Sequence, residues 1–254
     1  MKRPIAPFLI VAVLAASTAC RERPAPEPQA VPEPGGWIMP PQIESVAVRG
    51  TDLSLGGRSA PLGRVAVGDP GGQAYAVAAD GEGRFELRIP RPARDTLFVV
   101  EGRAGQQYYP APYRLMVAAG SYGPIGLVSI GAPTRRLDPG PSLDAVDTDG
   151  RATFLSGRAP AGSQVIVRPG PESGVTANRE GRWTVAVAGG TGVIEVAGQV
   201  YSPPAGPAAN DGTLESIAGG WRISWRAPDG ARQTTWFPER RTIEPGFAGP
   251  TDQR

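Results

Sequence analysis

Asp144, Asp147 and Asp149, with Glu180 further along, are oxygen-bearing side chains that invite a metal hypothesis in this chain of 254 residues. Ca²⁺ is the ion such ligands would take, because hard cations prefer carboxylate and carbonyl oxygens. An EF-hand loop wants ligands at alternate positions and a Glu at the twelfth. Counting from Asp147, Asp149 fits but Arg151 occupies the next ligand position, so Asp147 and Asp149 match the pattern poorly and no metal is expected. The competing reading is a solvated Asp-Gly turn. A second set is aromatic. Tyr201, Trp225 and Trp236 could form a platform for pyranose rings if they faced solvent. A domain without disulfides also needs such side chains to fill its core, and that reading is preferred. Hydrolysis by paired carboxylates requires two acids facing each other across a cleft. Asp95, Glu101 and Glu195 follow or sit in strand-like segments and mark no such pair. No catalytic residue is assigned, and the chain is expected not to be an enzyme.

Composition closes other routes. There is no histidine, so there is no His-ligated metal, no Ser-His-Asp arrangement and no histidine pH switch. The single cysteine makes no internal disulfide. Gly56-Gly57, Gly71-Gly72, Gly189-Gly190 and Gly219-Gly220 precede no helix and lack a Gly-Lys-Ser/Thr ending, so they read as turns. No cofactor is expected.

The N-terminus resembles an export signal: Lys2 and Arg3, an apolar run from Phe8 to Ala16, then Ser17-Thr18-Ala19-Cys20. The apolar run is too short for a permanent span, which takes about 20 residues. The last four residues resemble the lipobox of bacterial lipoproteins, although Ser17 stands where Leu is usual. That resemblance implies cleavage after residue 19 and lipidation (palmitate included) at Cys20. Arg21 after the cysteine resembles the default sorting to the outer membrane in enteric bacteria. An ordinary signal peptide leaving a free thiol is the alternative. The formal charge of +2 includes Lys2 and Arg3, so the mature chain has 24 basic and 24 acidic residues and is neutral. The pI of about 8.9 overstates its basic character, and no nucleic-acid partner is expected.

Residues 20–41 read as a tether whose seven prolines favour a stiff, extended spacer. A first domain is expected over 42–137, with Trp37 and Met39 packing onto it. Ile43, Val46 and Val48 pair with Leu53 and Leu55 around Gly50-Thr51-Asp52, and Phe85, Leu87 and Ile89 alternate with Glu86 and Arg88. Further strands are expected at 65–67, 74–78, 96–100, 113–117 and 125–130. Arg135 to Pro141 reads as the junction, residues 138–237 as a second domain, and 238–254 as a polar tail. Trp221, Ile223 and Trp225 share one face of a strand and Arg222, Ser224 and Arg226 the other, with Asp229-Gly230 as the hairpin turn before Trp236. The expected fold class is all-β, built of antiparallel sandwiches.

The two domains repeat each other. Gly57-Arg58 corresponds to Gly157-Arg158 at an offset of 100, Gly63 to Gly162 at 99, and Gly83-Arg84-Phe85 to Gly181-Arg182-Trp183 at 98. These phrases, with Asp80 and Asn178 opening the loop before the aromatic, resemble the immunoglobulin-like repeats of bacterial surface and exported proteins. The resemblance implies two tandem Ig-like sandwiches and says little about function, since such repeats serve as spacers, adhesins and accessory domains. Arg84 and Arg182 are read as local scaffold residues. The chain is thus expected to be a non-enzymatic, lipid-anchored envelope protein, a structural or protein-interaction module. The alternative is a carbohydrate- or peptidoglycan-binding module using the aromatic hairpin. Its expected partners are the membrane and another envelope protein or a glycan.

Overall fold

The computed structural model describes residues 38–120, 123–190, 192–209, 211–226, 230 and 232–239. The signal segment, Cys20, Trp37, Asp229 and the tail beyond Glu239 lie outside them. In chain order the strands of the first half are β1 (Gln42–Arg49), β2 (Asp52–Arg58), β3 (Arg64–Gly68), β4 (Ala74–Ala78), β5 (Arg84–Pro90), β6 (Thr96–Ala104), β7 (Gln107–Val117), β8 (Ile125–Val128) and β9 (Arg135–Arg136). Those of the second half are β10 (Leu143–Thr148), β11 (Ala152–Arg158), β12 (Gln164–Val165), β13 (Val167–Arg168), β14 (Val175–Thr176), β15 (Arg182–Ala188), β16 (Ile194–Val196), β17 (Gln199–Tyr201), β18 (Leu214–Ile217), β19 (Gly220–Arg226) and β20 (Arg232–Pro238). The architecture is all-β, with two six-stranded antiparallel sheets in a sandwich-like arrangement.

In the first half, the sheet β1-β2-β5 faces the sheet β4-β3-β6-β7-β8-β9. Alternation drives the packing: Phe85, Leu87 and Ile89 point inward from β5, while the residues between them are exposed. They meet Leu53, Leu55, Val65, Val67, Phe98, Leu115 and Ile125 in one apolar core. β6 and β7 run longer than expected. The start of β7, which the sequence reading did not include, carries Pro110 and Pro112. They are tolerated because β8 pairs with β7 only from Arg114 onward, so that part of the strand has an open side. Met39 stays half exposed, contrary to the packing expected of it.

The repeated phrase has one geometry in both halves. Asp80 Oδ1 accepts the amides of Glu82 and Arg84 at 2.9 and 2.8 Å, and Asn178 Oδ1 accepts those of Glu180 and Arg182 at 2.9 Å each. This Asx turn needs a left-handed residue before the strand, supplied by Gly83 (φ +79°) and Gly181 (φ +72°). The following aromatic, Phe85 or Trp183, pairs across to Gly57 or Gly157, where a Cβ would collide with its ring. Aspartate and asparagine do the same work here because only the acceptor oxygen is used.

The halves then diverge. After β17 the chain crosses to the opposite sheet, and β20 pairs with the outer edge of β10, giving the order β15-β11-β10-β20-β19-β18. One face of that sheet closes the second core with Val165, Val167, Ile194, Val196 and Tyr201. Its other face packs on the six-stranded sheet of the first half. There Met116, Ala118 and Val128 meet Ala145, Leu214, Ile223, Trp225 and Phe237. Three apolar layers therefore lie between the stacked sheets, and the middle one fuses the two halves.

Candidate functional site

The chemistry-bearing side chains collect at this middle layer. In β10, Val146 points into the second core while Asp147 points the other way, toward the first half. Asp147 is fully buried. Its Oδ2 accepts the backbone amide of Thr134 at 2.7 Å, and its Oδ1 accepts the hydroxyls of Thr134 and Thr235 at 2.6 Å each and the amide of Gln233 at 3.4 Å. Gln233 also donates to Ser129 O at 2.7 Å and accepts Gly131 N at 2.7 Å. Burial raises the Asp147 carboxyl to about 6, against the donors from Thr134, Thr235 and Gln233 that favour the charged form.

A second group adjoins it. Arg136 has no exposed side-chain surface; its Nε binds Asp138 at 3.0 Å and its Nη1 donates to Pro238 O at 2.7 Å. Asp144 sits under Arg158, at 2.7 Å, and Arg182, at 3.4 Å. Burial raises the Asp144 carboxyl to about 6, and Arg158, Arg182 and Arg136 pull it back. Burial also lowers Arg182, with Arg135 and Arg158 adding repulsion. Arg182 therefore does more than support its own strand: it reaches Asp144 and Arg136 O across the seam. Its counterpart Arg84 pairs with exposed Glu82. The segment 135–141, read as a junction, is a strap in which Arg136 and Asp138 are buried.

The three aromatic residues singled out by sequence are 5% (Tyr201), 8% (Trp225) and 4% (Trp236) exposed, and they lie on two faces. Trp225 fills the seam with Ile223 and Trp221, whereas Tyr201 and Trp236 belong to the second core. Tyr201 and Trp236 border one cleft beside Gly219 and Pro238, and Trp225 borders a different one, so the three form no common platform. On the polar face of β19, Arg222 donates to Ala205 O and Gly206 O and pairs with Glu215, Ser224 accepts Ala208 N, and exposed Arg226 pairs with Asp211.

A cleft of about 370 Å³ opens between β10, β20 and the loop from Pro203 to Pro207. Trp236, Val146 and the prolines give it apolar walls, and Arg222 and Arg232 border it. Both guanidinium groups are engaged through their terminal nitrogens by Glu215, Asp211 and loop carbonyls, while each Nε is buried without a hydrogen-bond partner. The cleft thus offers apolar contact and little free charge.

Asp149 does not join Asp147. It lies in an exposed turn, where its Oδ1 accepts the amides of Arg151 and Ala152, and these bonds hold its carboxyl below the usual range. Asp149 matches the turn reading, while Asp147 is sealed in the seam. Among the described residues no group of three His, Cys, Asp or Glu side chains could hold a metal. Asp95 accepts Ala119 N, Glu101 accepts the Tyr108 hydroxyl, and Glu195 pairs with Arg168.

No protein-family model matches this chain, and no curated protein matches it. Its own geometry is the guide to its role. Sequence reasoning missed Thr134, Arg136, Asp138, Gln233 and Thr235. In β20, Gln233, Thr235 and Phe237 face the seam, while on the other face Trp236 enters the second core and Thr234 borders the cleft, so polar and aromatic residues fall on both sides. A strand buried on both faces gives no alternation to read.

Proposed function

We propose that the chain is a non-enzymatic, membrane-tethered bacterial envelope lipoprotein, anchored through Cys20 and carrying two Ig-like domains (42–137 and 138–237) as a structural or protein-interaction module. The observation that supports this reading is the engagement of the buried carboxylates. Asp144 is held by Arg158 and Asp147 by Thr134, and Asp138, which borders a groove beside β1, is already bound by Arg136 and the Ile125 amide. A rigid double sandwich on a proline-rich tether suits presentation of a surface at a distance from a membrane.

The test of the anchor is Cys20→Ser in the full-length chain. The wild type is expected in the membrane fraction with a lipid mass increment, and the variant in the soluble exported fraction without it. Unchanged membrane association with no mass difference would remove the anchor. A glycan array addresses the alternative: binding lost in Trp236→Ala with the fold retained would replace the interaction reading by glycan recognition.

A further inference from the structure

The internal repeat shows which edge of the first half lacks a strand. In the second half, Val146, Asp147 and Thr148 pair on one side with Leu155, Phe154 and Thr153, and on the other with Trp236, Thr235 and Thr234. In the first half, Val46, Ala47 and Val48 pair with Leu55, Ser54 and Leu53, each one hundred positions earlier. No described strand pairs with their other side, since β1 ends the sheet β1-β2-β5. A groove of about 360 Å³ lies there. It is walled by Val46, Ala47 and Val48, floored by Ile125 and Asp138, and ended by Arg91. It is continuous with the seam between the halves, because Asp138 is bound both to Ile125 N and to Arg136.

We propose that this edge is a strand-addition site taking an extended segment of another protein, antiparallel to β1 across Val46–Val48; it rests on the interaction-module reading. The occupant's chemistry is set by the template and by charge. β20 places a large aromatic side chain opposite Val146, so the added strand carries a large apolar residue opposite Val46. Val48 is 56% exposed, an apolar group left on an open edge. Arg91 has a buried Nε without an acceptor and no carboxylate partner among the described residues, and Arg49 stands at the same end of β1. An antiparallel strand begins at that end, so its leading flank carries a carboxylate. Backbone pairing supplies the affinity, and these two features supply the selectivity. The chain's own β4 is a poor donor: it turns Tyr75 and Val77 toward its own core and leaves only Ala74, Ala76 and Ala78 exposed.

The experiment places a photo-crosslinking phenylalanine at position 48 of the full-length chain in the cells that make it, and separately at position 193, an exposed site in the second half. Crosslinked peptides are identified by mass spectrometry. A synthetic copy of the segment caught at position 48 is then added to the purified protein, with amide exchange as readout. Position 48 is expected to capture a segment with an acidic flank before alternating apolar residues. That peptide is expected to slow exchange at residues 46–48, and Arg91→Glu to weaken its binding at least tenfold. Capture at 193 alone overturns strand addition and leaves the module reading standing; capture at neither position removes both. An adduct between two copies of this chain, or a peptide that leaves residues 46–48 unprotected, also overturns the proposal.

Discussion

Thr134 turns both of its donors onto Asp147, its backbone amide to Oδ2 at 2.7 Å and its hydroxyl to Oδ1 at 2.6 Å. One residue precedes the last strand of the first half and the other lies in the first strand of the second. The seam is therefore specified by directional bonds as well as by the apolar contact of Trp225 and Phe237. A buried carboxylate surrounded by donors is costly to disturb, because removing it strands every donor at once.

Asp147→Ala leaves the donors of Thr134, Thr235 and Gln233 without their shared acceptor. We expect a loss of about 3 kcal/mol, the scale for breaking a buried charged network, measured by urea unfolding at neutral pH. Stability within about 0.5 kcal/mol of wild type would show that the seam does not depend on this carboxylate.

Stability should depend on pH through the two raised carboxyls. Asp144 and Asp147 are each raised from 3.8 to about 6 by burial. Between those limits the folded protein holds more protons than the unfolded chain, so these groups make stability fall as pH rises from about 4 to about 6. Asp80 and Asp149 are lowered by backbone bonds and act oppositely, their contribution being lost as pH falls below 3.8. Unfolding curves should place the optimum near pH 4, and Asp147→Asn should flatten the decline above it. Stability rising from pH 4 to 6 would contradict the assignment.

Trp225→Ala should open the seam at a cost of about 3 to 5 kcal/mol, the range for truncating a buried aromatic. Amide exchange should accelerate in β8, β19 and β20 while β5 and β15 keep their protection. Uniform loss of protection would mean that the halves unfold as one unit.

Gly157→Ala should destabilise by about 1 to 3 kcal/mol, as overpacked cores do, because the new Cβ would strike Ser142 O and the Trp183 ring. Gly57→Ala should behave alike against Gln42 O and Phe85. Gly190→Ala, where nothing lies within 4 Å, is the control, and its melting temperature should stay close to wild type.

Much of the fold was legible because local rules and burial agreed. Phe85, Leu87 and Ile89 alternate with charged residues and face a core on one side only. Asp80 and Asn178 open an Asx turn whose bonds are local, so the phrase reads the same in both halves. Trp221, Ile223 and Trp225 were placed on one face by their period of two, but what that face met was not visible. It packs on the other half and not within its own.

The sequence alone determined the alternating strands such as β5 and β19, the repeat at an offset near one hundred and the turn at Asp80 and Asn178, because these depend on neighbours along the chain. The tertiary structure alone decided that β20 crosses to pair with β10, that the strap around Arg136 and Asp138 is buried, and that Asp147 and Asp149 part company. Adjacent residues of a strand point to opposite faces, and whether a face meets solvent, a core or a second sheet depends on residues a hundred positions away. The same long-range pairing occupies the edge of β10 and leaves that of β1 open at Val46–Val48.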